Sequence, residues 1–542
     1  MLSARLIVTT VAATALNAMA QDSLLLRDYQ FVKQSDPWLT AANPAALTRY
    51  DSPNMALATL SVSHGKGGLV NFNESTNRME LNAGAESFIR LNPHTVVYGS
   101  IAYDNFSGRN MTGSTFIDPA RKPFDLVEDS LGNTGTKHRD TYQLCGAVGT
   151  KLGNIASLGL SFDYTAANYA KYKDLRHKNK LMDLKFTAAV YVPLGNSVQM
   201  GACYQYHRNT ESLLFSTYGK NDRTYNTFIN YGPYIGHVEQ FGNAGYTEKG
   251  REMPLADDYD GIGLQMAIGP QHGLLSFYHA VGYAHRRGYY GRRSPFTITH
   301  SRHHSHTYSY QARITLSPNP GADSERHSLF TLDLRVEAEN LENNARNYRE
   351  LQNENGATYY QYYDDVKTAN RLWVDGAASL AAHLGVRQQL PTWSIEGGLQ
   401  WQHRKQTAYL YPYFRRQRLT SYEPFVALCR NMVGRHGLWT LKANAAFRHG
   451  SSDPYTDGTL ATPSDKQTPP PSQDACLWRE YQWLMAAQYA VGASVRYSFV
   501  VPSTRLKTSL QLAVSHRKAN ESFPYSTGSD HTTLEATLGC EF

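Results

Sequence analysis

Apolar and polar side chains alternate with a period of two along most of this chain, and that pattern restricts it to strands. The C-terminal segment shows it best. Thr532, Leu534, Ala536, Leu538, Cys540 and Phe542 fall on one face, and Thr533, Glu535, Thr537 and Glu541 on the other. Successive side chains of a strand point to opposite sides, so each such segment has one apolar and one polar face. Upstream, Leu158, Leu160 and Phe162 alternate with Ser157, Ser161 and Asp163. Leu184 and Phe186 flank Lys185, and Leu332, Leu334 and Val336 alternate with Asp333, Arg335 and Glu337. Leu441, Ala443 and Ala445 alternate with Lys442, Asn444 and, further on, Arg448. A long run from Tyr481 to Phe499 alternates with Gln482, Gln488 and Arg496, and Leu510 and Leu512 alternate with Lys507, Ser509 and Gln511.

Composition removes the competing classes. Only 18% of the 542 residues are charged, whereas Tyr (37) and Gly (41) are abundant. A disordered chain is charge-rich and aromatic-poor. After residue 20 no apolar run reaches the ~18 residues of a membrane helix. A formal charge of +7 spread over this length implies no nucleic-acid partner. Cys145, Cys203, Cys429, Cys476 and Cys540 are widely spaced with no CxxC, so neither a zinc ribbon nor a dithiol motif is present. Four read as small apolar strand residues, and Cys476, beside a Pro-rich stretch, as an accessible thiol.

Residues 1–20 have the pattern of a cleaved signal peptide: Arg5, the apolar run Leu6–Ala13, and Ala18-Met19-Ala20 before Gln21. With that export signal, the terminal strand ending in Phe542 resembles the closing strand of bacterial outer-membrane β-barrels, in which the last aromatic is read by the barrel-assembly machinery. The fold expected is all-β: one transmembrane, antiparallel, up-and-down barrel over 54–542, of about 18 strands with 16 or 14 as alternatives. Short periplasmic turns fall near 91–94, 152–154, 193–197, 269–273, 317–324, 387–392, 431–437 and 501–504. Long extracellular loops are expected near 107–137, 168–180, 210–258, 285–295, 343–366, 407–417, 449–478 and 518–530. The two largest, 107–137 and 210–258, either fold into the mouth or stand up as a docking surface.

Residues 21–53 precede the first strand as a periplasmic or lumenal segment, a candidate small plug. Within them Trp38–Leu47, with Asn43-Pro44-Ala45, resembles the N-terminal segment of the long-chain fatty-acid transporter barrels. The whole chain resembles the uncharacterised Bacteroidota outer-membrane barrel families. The resemblance implies an architecture with this segment inside or beneath the barrel. It does not carry over the apolar cargo, because the inferred lumen is charged. Asp163, Lys185, Asp333, Arg335, Glu337, Glu396, Lys442, Arg448, Arg496, Lys507 and Glu535 all fall on the polar faces. Burying them beside an acyl chain is costly unless they are paired or wet.

Three aromatic-basic segments are candidates for extracellular recognition, through Tyr289 and Tyr290, Tyr359 and Tyr360, and Tyr411, Tyr413 and Arg415. Contacts to lipopolysaccharide phosphates are the plainer use of such loops. His300, His304 and His306 share one strand face by period two, but their spacing of about 7 or 14 Å is too wide for one metal without a second strand. No cofactor is expected. No His-Glu-x-x-His, Walker or Gly-x-Ser-x-Gly motif occurs, and no enzymatic role is expected. The leading expectation is an outer-membrane channel or transporter for a small hydrophilic solute, in contact with outer-membrane lipid and lipopolysaccharide. The alternatives are a non-conducting scaffold for a surface lipoprotein or secretion partner, and an outer-membrane hydrolase.

Overall fold

The computed structural model describes residues 25–542 except 129–130, 220–222, 244, 271–272, 319–326, 503, 505 and 522–523. The signal-peptide segment 1–20 and most of the turn expected at 317–324 lie outside the described residues.

Eighteen strands form one closed antiparallel barrel. The first nine are β1 (Met55–Gly67), β2 (Asn77–Arg90), β3 (Thr95–Met111), β4 (Gly135–Leu152), β5 (Ala156–Lys171), β6 (Arg176–Leu194), β7 (Val198–Ser216), β8 (Met253–Ile268) and β9 (Leu275–Gly291). They continue as β10 (Thr299–Leu316), β11 (His327–Gln352), β12 (Thr358–Val386), β13 (Trp393–Leu410), β14 (Tyr413–Val433), β15 (Leu438–Gly450), β16 (Gln488–Val500), β17 (Lys507–Ala519) and β18 (Asp530–Glu541). Each pairs with its chain neighbours, and β18 closes on β1 with Leu538 opposite Leu60. At that seam Ala56 and Phe542 exchange backbone hydrogen bonds of 2.7 and 3.0 Å. The apolar face of the alternation is the outer one: Leu60, Ile101, Leu160, Phe186, Ile262, Leu380, Leu512 and Leu534 are all exposed. Only a closed barrel can show such a belt to lipid, because an open edge would leave backbone groups unpaired there.

Several expected loops are hairpins instead. β5 and β6 meet across 172–175, β11 and β12 across 353–357, and β13 and β14 across Tyr411-Pro412. Residues assigned to loops at 168–180, 285–295, 343–366 and 407–417 are therefore largely strand. Beyond the lipid belt both faces of a strand meet water or polar inserts, so the apolar alternation fades although pairing continues. The run beginning at Tyr481 is also corrected. Asp474–Met485 is a helix, and the strand begins at Gln488. Ala, Leu, Arg, Glu, Gln and Met dominate that stretch and favour a helix. Tyr481, Trp483 and Met485 satisfy a period of two over too short a span to separate the two structures.

Candidate functional site

Two inserts occupy the barrel. The lower one, at the short-turn end, is built from residues 25–53: α1 (Tyr29–Ser35), α2 (Pro37–Thr40) and a 3-10 turn (Pro44–Arg49). Asp28, Asp36 and Asn43 cap the three starts, each side chain accepting a backbone N–H. The segment buries Tyr29, Trp38, Leu47 and Tyr50 against Phe88, Tyr191 and Tyr278 of the wall. Its polar ties are Lys33–Glu86 at 2.6 Å, Arg496–Asp28 at 3.2 Å and the Thr48–Ser157 hydroxyl pair at 2.9 Å. Burial works against the Asp28 carboxylate, but Arg496 and Lys507 outweigh it and hold its pKa below the usual value.

The Asn43-Pro44-Ala45 segment lies on a seat of glycines. A Cβ on Gly159 would stand 2.1 Å from the Ala45 nitrogen, and one on its register partner Gly149 would stand 2.7 Å from the Pro44 oxygen. Asn43 itself donates to Gln265 Oε1 at 2.9 Å and to the Val190 carbonyl at 3.1 Å. Only a wall without side chains there admits the insert backbone so closely.

The upper insert fills the long-loop end. Residues 125–128, 226–230 and 236–240 form a three-stranded sheet of their own. Thus the described residues between β3 and β4, and between β7 and β8, fold into the mouth. Phe116, Phe124, Leu126 and Ile229 pack with Tyr246 and Tyr290 in one core. Phe72, Phe228 and Tyr234 pack with Cys476 and Leu477 of α3 (Asp474–Met485) in another. Asp125 accepts a hydrogen bond from Ser114 at 2.6 Å, yet burial raises its pKa to about 7 against that bond and the charges of Arg371 and Lys137.

Ion pairs reinforce the apolar core that joins this insert to the wall, in which Leu213, Phe215, Leu255 and Tyr290 of the strands take part. Glu128 accepts from Lys171 at 2.5 Å, and Lys122 pairs with Glu211 at 3.0 Å. Arg121 reaches Glu339 at 3.1 Å, Glu337 at 3.6 Å, and Asp375. Deeper in the wall Arg286 donates twice to Asp257, at 2.9 and 2.8 Å, and His303 shares that carboxylate. From α3, Glu480 takes both Arg404 Nη1 and Nη2, at 3.0 and 2.9 Å. Beneath α3 lies a cavity of about 520 Å³ with charged and aromatic walls, lined among others by Arg335, Trp373, Gln402, Glu423, Arg448 and Trp483.

All eleven residues assigned to a lumen lie on the faces opposite the exposed apolar side chains. Arg335, Glu337 and Arg448 meet at the cavity, where Arg448 pairs with Glu423 at 2.5 Å. Asp333 is bound by Arg313 at 2.6 Å, and Arg313 also donates to the Gln34 carbonyl of the lower insert. Arg496 holds Asp28; Lys507 pairs with Glu541 at 2.9 Å and donates to the Arg27 carbonyl. Asp163 and Lys185 are register partners, and Glu535 accepts from Thr537 at 2.9 Å. Glu396 and Lys442 face the same interior from β13 and β15.

The recognition candidates divide. Tyr411 is exposed, and Tyr289 carries Arg293 over its ring at 4.0 Å. Tyr413 donates to the Gln467 carbonyl at 2.9 Å, Tyr360 packs edge-on to Tyr348, and Tyr359 is half-buried. Tyr290 and Arg415 are corrections. Tyr290 is fully buried and donates to the Tyr246 carbonyl at 2.6 Å, because it points into the barrel. Arg415 is buried between Asp457 and Asp474 with Tyr455 against its guanidinium. Cys476 is likewise buried, which pushes its thiol up to about 12. His300 does not share a face with His304 and His306. A bulge at Tyr290/Gly291 breaks the pairing beside it, and His300 packs on Tyr246 while His306 stacks on His285 outside. Among the described residues no group of three or more His, Cys, Asp or Glu could hold a metal.

Sequence reasoning missed Arg121, Glu211, Asp257, Arg286, Glu339, Arg404 and Glu480. Arg121 and Glu480 lie in loop and helix, the others on stretches of strand beyond the lipid belt where the alternation fades, and their partners lie far away in sequence.

No curated protein matches the chain. Among solved structures it is similar to the ferric preacinetobactin receptor BauA of Acinetobacter baumannii, at 9% identity over 91% of this chain and 80% of that one, TM-score 0.39. It is also similar to the outer membrane transporter YddB of Escherichia coli (8% identity, 90% and 81% covered, TM-score 0.39). A Pseudomonas aeruginosa FadL homologue is similar at 10% identity, with 92% of each chain covered and a TM-score of 0.27. A family profile matches residues 44–542, from the Asn-Pro-Ala segment to the closing strand, and the chain belongs to that family, described as a family of unknown function (DUF6850).

Proposed function

We propose that this protein is a gated outer-membrane transporter for a small hydrophilic solute. One observation carries the reading: a cavity lined by charged side chains sits inside the barrel, under an insert tied to the wall by ion pairs as well as by an apolar core. A purely structural barrel has no use for such a space, and an acyl cargo would have to be buried against Arg335, Glu337 and Arg448. Glu337 and Arg448 are paired, with Arg121 and Glu423. Arg335 has no carboxylate within ion-pair distance among the described residues, so its guanidinium has donors to offer a polar solute.

Conductance and solute uptake in liposomes test the reading. The wild-type protein is expected to leak little, because both inserts are seated. Glu480→Ala leaves the Arg404 guanidinium without its carboxylate in a mostly buried site. Removing one partner of a buried pair costs about 3–5 kcal/mol. That is enough to shift an opening equilibrium by two orders of magnitude, and uptake is expected to rise at least tenfold. No uptake by wild type, by Glu480→Ala, or by a variant lacking residues 225–240 would end the transport reading. It would leave the scaffold role, testable by co-purification.

We further propose that Phe542 is part of an assembly signal. Its side chain is half exposed at the short-turn rim, where burial in lipid contributes about 2 kcal/mol. Deleting it is expected to lower the heat-modifiable barrel in the membrane severalfold, whereas Glu541→Gln is not. Equal yields for wild type and the deletion would remove that role.

A further inference from the structure

We propose that Lys405, Arg416 and Arg418, on the outer wall of β13 and β14, form a binding site for a phosphate-bearing lipid headgroup. Outer and inner faces are unambiguous here. Gln417 and Arg404 bond to each other inside the barrel, while Arg416 and Arg418 are exposed outside it. Lys405 and Arg418 stand directly opposite each other in the β13–β14 register, and Arg416 stands opposite Thr407 on the same face. Like charges directly opposite in an antiparallel pair repel and destabilise it. The wall supplies Arg416 with the Phe414 ring, 5.5 Å from its guanidinium, but among the described residues it offers the three cations no carboxylate. Across β12 the neighbour of Lys405 is Leu372, and beyond it lies Asn340. Among the described residues, no carboxylate lies within ion-pair distance of any of the three cations. Two other cations of this wall have partners: Arg287 pairs with Asp260 at 2.9 Å, and Lys367 with Glu342 at 2.5 Å. No counter-charge for these three comes from the described residues of the chain, and an anion from outside it would relieve their mutual repulsion.

The height of the site identifies the source. At the short-turn rim, Trp393 carries Arg430 over its ring at 4.8 Å. Exposed Ile395, Leu399, Val426 and Leu428 follow, then Trp401 opposite Tyr422. Lys405 lies twelve residues up the strand from Trp393. At ~3.3 Å per residue and a tilt of ~40°, that is about 30 Å along the membrane normal, the thickness of the hydrocarbon layer. The three cations thus stand where headgroup phosphates begin. Arg offers several donors in a fixed fork to phosphate oxygens and Lys adds a point charge. This site is on the opposite side of the wall from the cavity and does not depend on the transport reading.

The test uses the full barrel in phosphatidylcholine nanodiscs doped with lipid A or with dephosphorylated lipid A, with retained lipid counted by native mass spectrometry. Wild type is expected to retain at least tenfold more lipid A than the Lys405→Gln/Arg416→Gln/Arg418→Gln variant. It is expected to show no such preference for the dephosphorylated form. Arg287→Gln, which removes a paired cation of the same wall, is expected to retain lipid A like wild type. The single variant Arg418→Gln is the check if the triple variant yields little heat-modifiable barrel. Equal retention by wild type and Arg418→Gln overturns the proposal. So does competition by millimolar inorganic phosphate that removes all bound lipid, which would mark a site for free anions.

Discussion

Gly159→Val is expected to unseat the lower insert while leaving the barrel closed. The valine Cβ would stand 2.1 Å from the Ala45 nitrogen and 2.4 Å from the Pro44 carbonyl carbon, both backbone atoms that no rotamer change can move aside. Overpacking of this kind costs about 1–3 kcal/mol where neighbours can adjust, and more against rigid backbone. The insert is the component able to move, because β5 is fixed by pairing on both sides. Losing the seat also strains the Asn43 bonds to Gln265 and Val190. Limited proteolysis of the folded protein should therefore cleave within residues 25–53 at least tenfold faster than in wild type. Heat-modifiable migration of the remainder should be retained. Unchanged protection would mean that the Asn-Pro-Ala segment is not held on this wall.

Asp257→Ala is expected to be among the most destabilising single substitutions. Asp257 and Arg286 are almost fully buried, and the carboxylate also takes His303. Without it, the Arg286 guanidinium keeps only Glu339, at 3.5 Å, as a counter-charge. Breaking a buried pair from one side costs about 3–5 kcal/mol, because the remaining charge stays desolvated. Asp260→Ala is the matched comparison. Asp260 pairs with Arg287 on the outer face, where both side chains are well exposed, and such pairs contribute about 0–1 kcal/mol. Urea unfolding followed by heat-modifiability should separate the two variants clearly. Similar midpoints for both would show that the Asp257 pair is not desolvated as its burial implies.

Much of the barrel is legible in the sequence. The alternation around Phe162, Leu332 and Leu534 set strand type, inner and outer faces, and a count near eighteen. A period of two has one structural meaning, and lipid requires the outer face of each strand to be apolar. The same logic put Asp333, Arg335, Glu337 and Arg448 on inner faces. It failed where the lipid constraint ends. Above the belt the long hairpins of β11–β12 and β13–β14 have polar residues on both faces, so they looked like loops. Tyr290 and Arg415 then passed for surface groups.

What these inner residues do was settled only by tertiary structure. Glu480 lies on a helix 76 positions from Arg404, and Arg121 meets Glu339 across 218 positions. Nothing local in either segment encodes those pairings. The Asn-Pro-Ala segment could be picked out in the sequence, but its seat could not. Gly149 and Gly159 matter because barrel closure places them under a backbone from elsewhere in the chain. Local pattern determines which way a side chain faces, because strand geometry repeats every two residues. Which partner it meets depends on the radius of the barrel and on what folds into it, and both are properties of the closed chain alone.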